Sequence, residues 1–87
     1  MKPVCLVIGA GAGIGGTTGK RFAQEGYHAV LCRRSDEEGL QQLVADIETE
    51  GGSATGYLMN AVEPDVIEER VAEIETTIGP IEVVLFN

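Results

Sequence analysis

Long apolar runs, cations and cysteines are all scarce in this 87-residue chain, and each shortage removes a class of function. No run approaches the ~20 consecutive apolar residues that span a bilayer, and the N-terminus lacks a secretory signal's apolar core and cleavage site. A cytoplasmic protein is therefore expected. Lys and Arg number 6 against 14 Asp and Glu, a formal net charge of −8, which argues against nucleic acid or an anionic membrane as the main partner. Any anion site must be built locally. Cys5 and Cys32 lie within apolar runs, in no C-x-x-C or metal-ligand spacing, and read as buried reduced thiols rather than a disulfide. The chain is shorter than the ~100 to 150 residues of the commonest domains, so one domain or a piece of one is expected.

What is present is a regular alternation of short apolar runs and helical patterns. "PVCLVI", Pro3 to Ile8, reads as a strand buried on both faces, and glycines follow at once. Ile14 to Glu25 reads as a helix with Phe22 and Ala23 inward and Gly26 as its left-handed cap. "HAVLC", His28 to Cys32, is a second buried strand. Ser35 and Glu38 have capping-box spacing, and Leu40, Leu43, Val44 and Ile47 recur at helical intervals until Gly51. "SATGYLM", Ser53 to Met59, is a third strand that Gly56 weakens. Pro64 suits a first helical turn, Ile67, Val71, Ile74 and Ile78 mark one helix face, and "IEVVLF", Ile81 to Phe86, is the last strand. There is no repeat, low-complexity tract or long linker.

Alternating strands and helices of this kind imply an α/β fold, with right-handed crossovers and a parallel sheet covered by helices on both faces. The dinucleotide-binding version has strand order 3-2-1-4, with its ligand crevice at the carboxyl ends of strands 1 and 4, here Gly9 and Asn87. "GAGAGIGG", Gly9 to Gly16, holds two overlapping glycine patterns. The turn's first glycine must directly follow the strand, which selects Gly9, Gly13 and Gly15 over a G-x-G-x-x-G register starting at Gly11. Gly13 then allows close approach of a pyrophosphate and Gly15 close packing of the helix, whose positive end at Ile14 faces the phosphates. The plain alternative is a flexible loop in an unrelated α/β domain. A response-regulator-like domain is disfavoured because no acidic cluster follows strand 1.

These segments together resemble the short-chain dehydrogenase/reductase family. "VIGAGAGIG" resembles its V-T-G-x-x-x-G-I-G turn, with Ala12 inside it, "GYHAVLCRR" its second-strand segment, and "GPIEVVLFN" the strand leading into its N-N-A-G motif, at Asn87. The match covers essentially the whole chain. Ile8 replaces the usual threonine, losing a hydroxyl that helps tie the turn to strand 4, and Asn60 replaces the usual aspartate after strand 3. The resemblance implies an oxidoreductase using a nicotinamide cofactor. The position whose acid selects NAD falls on Arg33, and the arginine of NADP-preferring members falls on Arg34, so NADP is expected rather than NAD. The alternative is a solvated turn in which the arginines pair with Asp36 or Glu37. Asn60 and Ala61 correspond to the pair beside the adenine, or else Asn60 only caps a turn.

The family's proton transfer uses a tyrosine with a lysine four residues on, and here Leu31 follows Tyr27 and Ala61 follows Tyr57 at that spacing. No catalytic residue is therefore assigned, and no metal site. His28 and the carboxylates of the third helix read as structural. An apolar strand 4 at an open sheet edge also calls for cover. The expectation is the N-terminal, cofactor-binding part of a longer reductase, an incomplete Rossmann-type sheet over 1–87, inactive alone and a homo-oligomer in a full-length form if it assembles at all. The alternative is a non-catalytic nucleotide-binding or interaction module.

Overall fold

The computed structural model describes residues 2–9, 14–59 and 64–86. Strand β1 (Val4–Ile8) is followed by helix α1 (Ile14–Gln24), β2 (His28–Arg33), α2 (Glu37–Thr49), β3 (Ser53–Leu58), α3 (Pro64–Thr77) and β4 (Ile81–Phe86). All pairings are parallel and the sheet order is β3-β2-β1-β4. This is the order expected of a Rossmann-type sheet. β1 lies at its centre, so every one of its five side chains is buried. Successive residues of a strand face opposite sides of the sheet, and the core accordingly divides in two. Cys5, Val7, Ala29 and Leu31 pack with Leu40, Val44 and Ile47 of α2 and Ala23 of α1. Val4, Leu6, Ile8, Val30 and Cys32 pack with Ile74 of α3 and Met59. Helices thus cover both faces, and the two free cysteines point to opposite sides of the sheet.

Three local features were not visible in the sequence pattern. Helix α2 is capped by Asp36, not Ser35: Gly39 N–H donates to Asp36 Oδ1 at 3.1 Å, and Asp36 adopts the left-handed conformation at φ 65 and ψ 65. An aspartate serves better there because it tolerates that conformation and sets a negative charge at the helix's positive end. Gly56 weakens β3 in propensity, yet a Cβ there would come 2.9 Å from Leu40 Cγ, so its bareness lets α2 lie close on the strand. In β4 the partner of Val4 is Ile81 while that of Cys5 is Val83, a bulge that leaves Glu82 without a partner on β1 and exposed. Gly26 ends α1 as expected, at φ 96, with Tyr27 N–H donating to Phe22 O at 3.1 Å.

The closest helix-to-strand approach among the described glycines is at Gly19. A Cβ there would stand 2.7 Å from Leu31 Cδ2 and 3.5 Å from Val7 Cγ2, both on fully buried side chains. Gly19→Leu is expected to lower stability by about 1 to 3 kcal/mol through overpacking, although leucine is the better helix former. Urea unfolding of the two chains measures it; equal midpoints would show that α1 does not lie that close.

At the amino ends of β2 and β3, His28 Nδ1 is 3.1 Å from Ser53 Oγ and Nε2 is 2.8 Å from Thr55 Oγ1, while Lys2 Nζ donates to the same Ser53 hydroxyl at 3.3 Å. Burial, and then the Lys2 charge, hold the His28 pKa below its ordinary 6.5, with Glu48 acting in the opposite direction. The stability supplied by neutral His28 is complete above 6.5 and is lost as the pH falls through the lower folded-state value. Stability should therefore drop more between about pH 7.5 and about pH 5.5 in the unchanged chain than in His28→Gln, as read from denaturant midpoints.

Candidate functional site

All four strands point the same way, so Ile8, Arg33, Leu58 and Phe86 end at one edge of the sheet. The hydrogen-bond ladder runs one residue past the strands there: Gly9 N–H donates to Cys32 O at 2.8 Å and Met59 N–H to Arg33 O at 2.7 Å. Gly9 turns the chain off the sheet with φ 90, a conformation that L side chains rarely adopt. Ile8 behind it is buried among Leu6, Val30 and Met59 and pairs with Phe86, so apolar packing stands where a threonine would offer a hydroxyl. Helix α1 opens at Ile14 and carries no acidic residue in its first turn, whereas α2 has Glu37 and Glu38 and α3 has Asp65. The positive end of α1 is thus the one left without a carboxylate of its own to meet an anion.

Beside this turn is a pocket of about 210 Å³ lined by Gly9, Arg33, Arg34 and Ser35. The sheet therefore brings together the first glycine of the turn and both arginines, residues more than twenty positions apart in the chain. Their roles differ. Arg34 is exposed and makes no ion pair among the described residues, while the half-buried Arg33 places Nη2 3.4 Å from Asp36 Oδ2. Ile14 and Gly15 are in the first turn of α1. Ala12, Gly13, Asn60, Ala61 and Asn87 lie outside the described residues.

The remaining reactive side chains are engaged in packing. Tyr57 lies under the Arg70 guanidinium, 4.1 Å from ring centroid to Cζ, and its hydroxyl donates to Glu73 Oε1 at 3.5 Å. Burial, followed by Glu73, raises its pKa, the wrong direction for a general base. Tyr27 meets Phe22 edge to face at 5.3 Å. Burial pushes the Cys5 and Cys32 thiols up to about 11, so neither is a ready nucleophile. Among the described residues no cluster of His, Cys, Asp and Glu could hold a metal, and no helix is long and apolar enough to cross a membrane. The Arg70–Tyr57–Glu73 group was missed by sequence reading; the only signal was a cation and an anion three apart on α3.

A parallel sheet of order 3-2-1-4 with a glycine turn, a helix start and paired cations at one crevice has the Rossmann-type arrangement. The family model described as short chain dehydrogenase matches residues 3–87, and the chain belongs to that family. It is 37% identical over 84 residues to the 3-oxoacyl-acyl-carrier-protein reductase FabG of Thermotoga maritima, covering 97% of this chain and 34% of that protein. A short-chain dehydrogenase from Rhodopseudomonas palustris superposes with a TM-score of 0.89 at 35% identity, over 98% of this chain and 39% of that one. A metagenomic short-chain oxidoreductase crystallised in complex with NADP gives a TM-score of 0.87 at 27% identity, over 94% of this chain and 37% of that one. The chain spans about a third of the length of the curated relatives it matches.

The whole arrangement turns on the backbone of Gly9. Gly9→Ala should cost about 1 to 2 kcal/mol, because a Cβ at positive φ meets the adjoining carbonyl. Thermal unfolding measures the loss; an unchanged midpoint would mean that the turn accepts a side chain.

Proposed function

We propose that this chain is the cofactor-binding part of an NADP-dependent oxidoreductase. The observation that carries the reading is the pocket in which Gly9, Arg33 and Arg34 meet. In this reading Gly9, Ala12, Gly13, Ile14 and Gly15 receive the pyrophosphate at the start of α1, Asn60 and Ala61 lie beside the adenine, and Asn87 borders the crevice. Arg33 and Arg34 hold the ribose 2′-phosphate, for which a planar fork of N–H donors is well shaped. The carboxylate-free first turn of α1 and the excess of acid elsewhere support this, because in a chain of net −8 two adjacent arginines concentrate scarce positive charge at one place. The similar oxidoreductase crystallised with NADP supports it from outside the chain.

When bound, the cofactor would supply the hydride acceptor or donor. The residues here bind and orient it, and none of them is placed to move the substrate's proton: neither tyrosine has a lysine four residues on, and both rings are committed to packing. Turnover therefore depends on groups these 87 residues do not supply, and the isolated chain is expected to bind without catalysing. A cytoplasmic location belongs to the same reading, since nicotinamide cofactors act there. A second reading, an interaction module, draws on β4, where Val84 is 50% and Phe86 72% exposed on the sheet edge.

Titration of the chain with NADPH and NADH separates these. NADPH should bind more tightly, and Arg33→Ala and Arg34→Ala should each remove about 1 to 3 kcal/mol of NADPH binding while leaving NADH nearly unchanged. Equal affinities, indifferent to both substitutions, would defeat the NADP assignment. Binding of neither nucleotide would favour the interaction module.

A further inference from the structure

Arg33 has more than one neighbour with a claim on it. On one side it lines the crevice pocket with Gly9 and Arg34, and on the other it lines a groove of about 340 Å³ with Asp36, Gly39, Gln42, Leu43 and Asp46. The Asp36 carboxylate is fixed in place. Its Oδ1 accepts from Gly39 N–H at 3.1 Å, its backbone carbonyl accepts from Leu40 N–H at 3.1 Å, and its Oδ2 is left to face Arg33 Nη2 at 3.4 Å. Gly39 makes the arrangement possible, because a Cβ there would collide with the Asp36 carboxylate and stand 2.8 Å from Arg33 Nη1. The residue that starts α2 therefore also draws the guanidinium toward the helix.

We infer that Asp36 is a specificity-determining residue that weakens the hold of Arg33 on a 2′-phosphate and so narrows the preference for NADP over NAD. This rests on the cofactor reading given above. Three effects compete. The Asp36 charge offsets part of the Arg33 charge, and it repels a phosphate sharing the same guanidinium; both weaken binding of the phosphate. Against them, an ion pair pre-orients Arg33 and reduces the side-chain entropy lost on binding. The geometry decides between them. A single contact of 3.4 Å is looser than the ~2.7 to 2.9 Å of a strong charge-assisted hydrogen bond, so it orients weakly. Packing along α2 already leaves the Arg33 side chain only 20% exposed. Charge, by contrast, acts fully at the 3.4 Å between the carboxylate and a guanidinium that lines the crevice, well within a Debye length of ~8 Å.

The test is Asp36→Asn, which removes the charge while keeping a residue that caps helices as well as aspartate and tolerates the left-handed conformation. Asp36→Ser is a second neutral cap, and far-UV circular dichroism reports whether α2 persists in each. NADPH and NADH are titrated against the full 87-residue chain, the two variants and Arg33→Ala. Asp36→Asn is expected to tighten NADPH binding about three- to tenfold and leave NADH binding within about twofold, so the ratio of the two affinities shifts. Unchanged or weaker NADPH binding by both folded variants, with Arg33→Ala still impaired, overturns the role of Asp36 and leaves the cofactor reading standing. Indifference of NADPH binding to Arg33→Ala likewise overturns only the role of Asp36, whereas no binding of either nucleotide by the unchanged chain overturns both.

Discussion

Burial of β1 on both faces and along both edges is the constraint from which the rest of the structure follows. A strand paired on each side has no free backbone donors or acceptors, and with helices above and below it every side chain must be apolar. Val4 to Ile8 meets that demand completely. The same demand sets where the strand can end. Once Gly9 N–H has closed the ladder on Cys32 O, the chain must leave the sheet within one residue, and a positive φ is the way it does so. The crevice at the sheet edge is therefore a by-product of closing off the most buried strand, and Arg33 and Arg34 meet Gly9 there because β2 ends beside β1.

Much of this was legible in the sequence. Element order and cover on both faces follow from apolar runs alternating with helical patterns, while the strand order 3-2-1-4 was picked from the possible parallel orders by the glycines that follow β1. That Gly9 turns the chain directly after β1 was legible, because the apolar run ends at Ile8. What stayed hidden depends on distances between elements. Asp36 and Ser35 are adjacent and both are cap formers, so only the position of the Gly39 N–H tells them apart. Gly19 reads as a mildly unfavourable helix residue until Leu31 is found against it. The hydroxyl partners of His28 come from β3 through the strand register, and a register is a three-dimensional quantity.

Charge is distributed so that local and global effects oppose one another. The chain repels anions overall, yet its crevice gathers two arginines beside a helix start without acid. Two of the six cations thus sit at one edge of the sheet, and the field there differs in sign from that of the acidic helix faces. The carboxylates of α2 and α3 then contribute solubility and contrast, and the pair of Lys20 with Glu50, at 2.5 Å, joins α1 to the end of α2 on the side away from the crevice.

The bulge in β4 decides which of the strand's side chains meet the core. In an unbroken register Glu82 would stand opposite Cys5 and face the core, and every residue after it would change sides of the sheet. With the bulge, Glu82 projects into solvent at the start of "VVLF" while Val83 and Leu85 keep their places against the core. A single skipped residue thus lets the strand carry a carboxylate without burying it, while the apolar residues after it stay in register with β1.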